Sequence, residues 1–244
     1  MINKTIINLG DLKLLSKLDK KQADEILSQA QIVNFKKNKD LFFAEEKAQN
    51  FYLILEGSVK LFVIDEDGNE TILQFLQAGD FVNDIFASSY QASARALKDS
   101  KVLVFTINQI RDLVKENSQL ALNFLNEITQ RNSDLVDSMI RLKLTDSKNK
   151  VGQFLLGMAF EKDSGKSKNI DLKYDKASLA SYLGITPETL SRVLKKLKSD
   201  GEIKVEKNKI TLVKQSSLCL YCDSKIASKC DLNHADFCTK TNFK

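Results

Sequence analysis

The chain has 244 residues and a mass of 27.5 kDa, with 43% of its residues apolar, 28% charged and a formal net charge of +5. That is long enough for a sizeable core and, at roughly 100–200 residues per domain, for one or two domains; the composition argues against a disordered chain. No apolar run reaches the ~20 residues a membrane helix needs, and the opening MINKTIINLGDLKLL lacks the apolar core and small-residue cleavage site of a secretory signal, so a cytoplasmic protein with no membrane partner is expected.

The first periodic segment, DLKLLSKLDKKQADEILSQAQ, has helical spacing, with Leu15, Leu18, Ala23 and Ile26 on one side. From about Val33 to Thr106 the pattern changes to seven or eight short strands. Gly57 and Gly79 divide them, and Asp67-Gly68 lies between two alternating runs as a hairpin signal. This predicts a compact β-roll or barrel. Helical periodicity returns in INQIRDLVKEN and in the much longer SQLALNFLNEITQRNSDLVDSMIRLKL. Within the latter, Ala121, Leu125, Ile128, Asn132, Leu135, Met139 and Leu142 recur at alternating spacings of four and three. That is a two-stranded seam with one polar residue, Asn132, able to fix register. A core helix packed on its own β-roll is the plain alternative. Leu122, Phe124 and Val136 supply a second face for the roll, which favours a dimer.

After Leu144 come short helical segments and then EIKVEKNKITLV, two strands around Lys207-Asn208 that read as a wing. Between them, KASLASYLGITPETLSRVLKKLKSDG is the most specific stretch. Ala180 is small enough for a helix crossing, and Leu179, Leu183, Ile185, Leu190 and Val193 take the apolar positions of a helix-turn-helix. Gly184 supplies the left-handed turn, Thr186 caps the second helix, and Pro187, the single proline, sits in its first turn. On the opposite side of that helix lie Glu188, Ser191 and Arg192. Arg192 can grip guanine O6 and N7, Glu188 can accept from cytosine N4, and Ser191 is permissive. Lys195 and Lys196, with Lys198, suit phosphates or a solvated face, and Thr189 suits a backbone contact or plain helix surface.

Charge follows the same division. Residues 1–143 carry 18 basic and 20 acidic side chains, residues 144–215 carry 15 and 9, and residues 216–244 carry 4 and 3. The basic excess therefore sits on the helix-turn-helix segment, the footprint of a nucleic-acid binder.

A β-roll, a long helix and a C-terminal winged helix-turn-helix, in this order, resemble the CRP/FNR family of bacterial transcription regulators over about residues 8–215. The resemblance implies an α+β fold with a cyclic-nucleotide-binding-like β-roll sensor at 1–116, a dimerisation helix at 117–144, a winged helix-turn-helix at 145–215 and an added cysteine-rich tail at 216–244. TPETLSR resembles the FNR-like branch, whose Glu-x-x-Ser-Arg pattern falls on Glu188, Ser191 and Arg192. This implies a homodimer on an inverted repeat of double-stranded DNA, with half-sites related to TTGA, and RNA polymerase as a partner if the protein is an activator. Pro187 stands where FNR-like members often carry an aliphatic residue, which leaves the outer bases of the half-site open.

The roll departs from the cyclic-nucleotide binders, which carry Gly-Glu for the ribose and Arg-Ser/Thr-Ala for the phosphate. Here Asn83-Asp84 and Gln91-Ala92-Ser93 stand in those places. Without its arginine, a cyclic phosphate loses a charge-assisted contact of ~1.5–3 kcal/mol. Arg95, nearby, reads as an ordinary surface or interface arginine. The N-terminal cysteine cluster of oxygen-sensing FNR proteins is missing, and haem is disfavoured because the only histidine is His234.

All four cysteines, Cys219, Cys222, Cys230 and Cys238, follow the wing with spacing C-x2-C-x7-C-x7-C; His234, Asp223, Asp231 and Asp236 are nearby donors. A permanent disulfide is disfavoured in a reducing cytosol. A 4Fe–4S cluster, a structural zinc, a reversible thiol switch and four idle thiols remain, and tetrathiolate spacing does not separate the first two. The family resemblance favours the cluster, since FNR-like members sense oxygen or nitric oxide through one. The alternatives are the same regulator with a zinc or thiol-switch tail and an unknown small-molecule effector in the roll, the regulatory subunit of an enzyme, or a non-specific architectural DNA binder. No phosphate loop, paired catalytic carboxylates or Ser/Cys–His constellation points to an enzyme, and Glu188 facing a duplex argues against non-specific binding.

Overall fold

Alternating strand segments punctuated by glycine fold into eight strands between residues 31 and 106. In the computed structural model, which describes residues 12–82, 85–144, 146–163, 169–172, 174–206, 209–213 and 219–222, these are β1 Gln31–Phe35, β2 Asp40–Phe42, β3 Asn50–Glu56, β4 Ser58–Ile64, β5 Glu70–Gln77, β6 Phe81–Val82, β7 Ser93–Ala96 and β8 Ser100–Thr106. They form two antiparallel sheets, β1-β8-β3-β6 and β2-β7-β4-β5. Gly57 lets β3 pass directly into β4: its φ is +107°, and a Cβ there would collide with Ser100. The β4–β5 hairpin turns through Gly68 at φ +82°, and the Asp65 carboxylate accepts from the Asp67 and Asn69 amides at 3.1 and 2.8 Å.

The expected single N-terminal helix is broken in two. A 3-10 turn, Lys13–Leu15, precedes α1, Lys20–Ser28, and Lys17 between them has φ +61°. Asp19 and Gln22 form a reciprocal capping box, which starts a new helix where the apolar period alone runs through. Thr106 and Gln109 repeat that device at α2, Ile107–Glu116. These helices and the first turns of α3, Ser118–Leu144, cover the roll through Leu14, Ile26, Ile110, Leu120 and Phe124, packed on Phe51, Leu103 and Phe105. Buried Asn123 fixes the entry segment by donating to the Leu14 and Ser16 carbonyls at 2.9 and 2.7 Å.

The chain divides into two units, Met1–Val136 and Asp137–Lys244, and α3 runs from the first into the second. The second unit holds α4 Ser147–Asp163, β9 Asn169–Asp171, α5 Lys176–Leu183, α6 Pro187–Ser199, β10 Ile203–Glu206, β11 Lys209–Leu212 and a closing 3-10 turn, Cys219–Tyr221. Helix α4 is a single 17-residue helix where the sequence suggested short segments. The two wing strands pair as expected, but β9 adds a third, giving the order β10-β11-β9. Its three residues carry one inward side chain, Ile170, too little periodicity to read. The core joins α4, α5, α6 and the wing around Leu155, Leu156, Ala180, Leu190, Leu197 and Ile210. Among the described residues no helix is long and apolar enough to cross a membrane.

Candidate nucleic-acid interface and cysteine turn

The helix-turn-helix forms as its residue types dictate. Asp175 caps α5 by accepting from the Ser178 amide at 2.8 Å. Gly184 ends that helix in the left-handed region, φ +62° and ψ +42°, and the Ile185 amide then donates to the Ala180 carbonyl at 3.1 Å. Thr186 caps α6 by accepting from the Thr189 amide at 3.2 Å, with Pro187 at the first helical position. Leu179, Ala180, Leu183, Leu190 and Val193 are buried, and Ile185 is partly so.

Burying Leu190, Val193, Leu194 and Leu197 turns the other face of α6 outward. Glu188, Ser191, Arg192, Lys195, Lys196 and Lys198 are exposed, and Thr189 is half-buried. Thr189 also does something its sequence position did not announce. Its hydroxyl accepts from Thr186 Oγ1 at 3.1 Å and from Arg192 Nη2 at 3.4 Å, so cap, threonine and arginine follow one another along the outward face. Hydrogen bonds from its own backbone amide and from Thr186 hold the Glu188 carboxyl below its usual range, keeping it an ionised acceptor. Lys204 and Lys209 add exposed cations on the wing strands, while Lys207-Asn208, which lie between them in the sequence, are outside the described residues.

On α3 the expected seam is apolar and uncovered. Leu125, Ile128, Leu135 and Met139 are 48–64% exposed, and Asn132 is exposed between them. Leu142 lies near the end of α3, with its side chain outside the described set. The second face needs correction: Phe124 packs on the roll, but Leu122 and Val136 are exposed at 53% and 49%. Leu120 and Arg131 take their place on the roll, and Asn123 holds the entry segment. The Arg131 guanidinium lies 3.8 Å from the Phe81 ring centroid and donates to the Phe81 carbonyl at 2.5 Å.

Within the roll, Gln91 points into solvent while its neighbour Tyr90 is buried, stacked on Phe42 with ring centroids 3.8 Å apart. The Tyr90 hydroxyl donates to the Asn50 carbonyl at 3.2 Å, and Tyr52 joins the same aromatic cluster. Burial pushes the Tyr52 phenol well above its usual range, so it stays protonated. Arg95 is a partly exposed arginine of the roll: it bonds Asp40 at 2.6 Å, lies 3.8 Å from Glu70, and flanks the Phe62 ring beside the Lys60–Glu70 pair. A shallow cavity of about 280 Å³ opens beside Tyr52, Tyr90, Glu46 and Asn50. Asn83-Asp84 lie outside the described residues.

Of the tail, the structure describes Cys219 to Cys222; Cys230, Cys238 and His234 lie outside the described residues. The Cys222 amide donates to the Cys219 carbonyl at 3.1 Å, closing a 3-10 turn, and positions three apart on such a turn lie side by side. Both cysteines are half-buried, and Cys222 packs against the core of the second unit. The tyrosine between them has a role that the cysteine spacing does not reveal. Tyr221 is buried against α4, where Lys148 reaches from its ring to Asp200 and Glu202.

Comparison with known proteins agrees with this architecture. The profile of the cyclic nucleotide-binding domain matches residues 32–117, and that of the Crp-like helix-turn-helix domain matches residues 149–221. The nitrogen fixation regulation protein FixK of Bradyrhizobium diazoefficiens is 30% identical over 204 residues, 81% of this chain and 84% of that protein. The chain belongs to the CRP/FNR family. Within that family, the cAMP-activated global transcriptional regulator CRP of Salmonella typhimurium is 26% identical over 182 residues, 72% of this chain and 87% of that one. The fold matches the solved structure of FixK2 from Bradyrhizobium japonicum with a TM-score of 0.73 at 22% identity, over 80% of this chain and 98% of that one. As a CRP/FNR member the chain is a DNA-binding transcription regulator with an α+β fold, and not an enzyme.

Proposed function

We propose that this regulator is a cytoplasmic homodimer that reads an inverted repeat with α6 and takes its signal at the C-terminal cysteines. The observation that carries the first part is the outward face of α6. Arg192, Glu188 and Ser191 stand exposed within its first turns, opposite the side chains that lock the helix into its unit. A helix entering the major groove by its N-terminal end presents those three to base edges, with Arg192 on guanine, Glu188 on cytosine and Ser191 on either. Thr189 and Lys195 with Lys196 are assigned to the phosphates alongside. The uncovered stripe of Leu125, Ile128, Leu135 and Met139, with Leu142 and Asn132, supports pairing of α3 with a second copy. RNA polymerase is the further partner if the protein activates.

For the signal, Cys219 and Cys222 give two soft sulfur donors on one turn, a fit to a thiolate-bound metal centre. With Cys230 and Cys238 they would hold a 4Fe–4S cluster, which when bound would supply a tie that oxygen or nitric oxide can break. The chain's own part is to keep the first pair seated on the DNA-binding unit and to bring the later pair to it. Cys219–Cys222 thus have different surroundings when the tail is tied and when it is loose, the differential interaction a switch requires. The departures around Gln91 and Tyr90 support placing the signal there and not in a cyclic nucleotide.

Protein purified without oxygen tests this reading. A brown colour lost in air, with iron and sulfide present and weaker DNA binding afterwards, is the expected result. A colourless protein with stoichiometric zinc moves the assignment to a structural metal, and neither metal, with DNA binding that responds to a thiol oxidant, moves it to a thiol switch. Equal DNA affinity for loaded protein and a Cys219→Ser, Cys222→Ser variant overturns signalling at the tail.

A further inference from the structure

Tyr221 sits between the two described cysteines and is 7% exposed, packed in the core of the second unit. The place it fills is cut for it. Gly152, in the middle of α4, lies directly beneath the ring, and a Cβ there would overlap the ring carbons. Glycine within a helix is unfavourable relative to alanine, so this notch is a cost borne at one position, and the tyrosine ring occupies it.

One turn before the notch, on the same face of α4, is Lys148. Its ammonium lies 5.8 Å from the Tyr221 ring centroid and donates to Asp200 at 3.1 Å and to Glu202 at 3.2 Å. Asp200 is the C-cap of α6, with its amide donating to the Lys196 carbonyl at 2.9 Å. Glu202 opens the wing: its amide donates to the Leu197 carbonyl at 3.0 Å, and its carbonyl accepts from the Val213 amide at 2.9 Å. The buried ring therefore rests on the lysine that holds the end of the recognition helix to the base of the wing.

We propose that Tyr221 is a positioning residue that couples the Cys219–Cys222 turn to the recognition helix, through the Gly152 notch and the Lys148–Asp200/Glu202 clasp. The proposal rests on the reading that the cysteine pair receives the signal, and adds the route by which α6 feels it. A change at either sulfur that shifts the turn shifts the ring with it, and Lys148 then loses the surface that fixes its reach to Asp200 and Glu202. Coupling of this kind is reciprocal: holding α6 on DNA must steady the cysteine turn by the same factor.

Reciprocity gives a test that needs no metal. Full-length, metal-free, reduced protein with Cys230→Ser and Cys238→Ser is reacted with an aromatic disulfide reagent, each thiol forming a mixed disulfide and releasing one coloured thiolate. Rates are compared with and without the DNA duplex that site selection returns. The parent protein is expected to react at least about fivefold more slowly on DNA. Gly152→Ala, which fills the notch, is expected to abolish that difference while the protein still binds DNA. Lys148→Met, which keeps the stem but removes the clasp, is expected to do the same and stands in if Gly152→Ala does not fold. Protection that persists in the folded variants would be simple shielding by DNA and overturns the proposal, as does a parent protein whose thiols react equally fast in both states. Neither failure touches the iron and zinc analysis, and a protein that holds no metal can still show the coupling.

Discussion

At the scale of single residues, the proposed base reading rests most on Arg192. A guanidinium makes two parallel hydrogen bonds to a guanine edge, whereas an ammonium acts as a point charge. Arg192→Lys is therefore expected to weaken the cognate complex by about 1–3 kcal/mol and to flatten the preference for guanine at one position in each half-site. Competition with duplexes substituted at that base measures it, and unchanged discrimination would remove Arg192 from base reading. Asp175 makes a different kind of claim. Burial pushes its carboxyl up, but the amide and hydroxyl of Ser178 and the Ala177 amide outweigh burial and hold it below the ordinary range. A depressed carboxylate stabilises the fold above its unfolded pKa of about 4 and loses that contribution as pH falls through the folded value. Asp175→Ala is thus expected to destabilise the second unit by about 1 kcal/mol at neutral pH, with the gap to the parent closing below about pH 4. Thermal unfolding across pH 3–7 reads it, and a gap constant with pH contradicts it.

Secondary-structure elements show what the sequence makes legible. The helix-turn-helix was readable residue by residue because each position has one physical job: Gly184 at positive φ, Thr186 as cap, Pro187 in the first turn, and leucines inward. The β4–β5 hairpin was readable for the same reason at Gly68. Apolar period alone served less well. It ran through Lys17, where a positive φ separates the 3-10 turn from α1, and it assigned Leu122 and Val136 to the roll, although both are exposed, Arg131 is the residue that meets Phe81 of the roll, and Asn123 holds the entry segment. β9 escaped notice because one buried isoleucine makes no pattern, and the Tyr221 site because its partners, Lys148 and Gly152, lie some seventy residues earlier in the sequence. The α3 stripe is the element whose role is most open to a direct check. Leu135→Asp places a charge in the middle of the proposed seam, far from the roll contacts at Leu120 and Phe124. It is expected to yield a folded monomer by sedimentation, with much weaker binding to a two-half-site duplex. A variant that stays dimeric would move the dimer contact off α3.

Taken as a whole molecule, the chain separates its tasks by charge and by chemistry. The slightly acidic first part builds the roll, the basic segment carries the exposed face of α6, and all four cysteines follow the wing in the sequence. In the roll, Gln91 stands exposed where the cyclic-nucleotide binders carry their phosphate arginine, its neighbour Tyr90 is stacked on Phe42, and nearby Arg95 is paired with Asp40. Sequence-specific recognition by a two-fold dimer is checked by binding-site selection with purified full-length protein on random duplex DNA. The expected result is an enriched inverted repeat with half-sites related to TTGA, their centres separated by about 10–10.5 base pairs or a multiple of that. Binding with no enriched inverted repeat would contradict it.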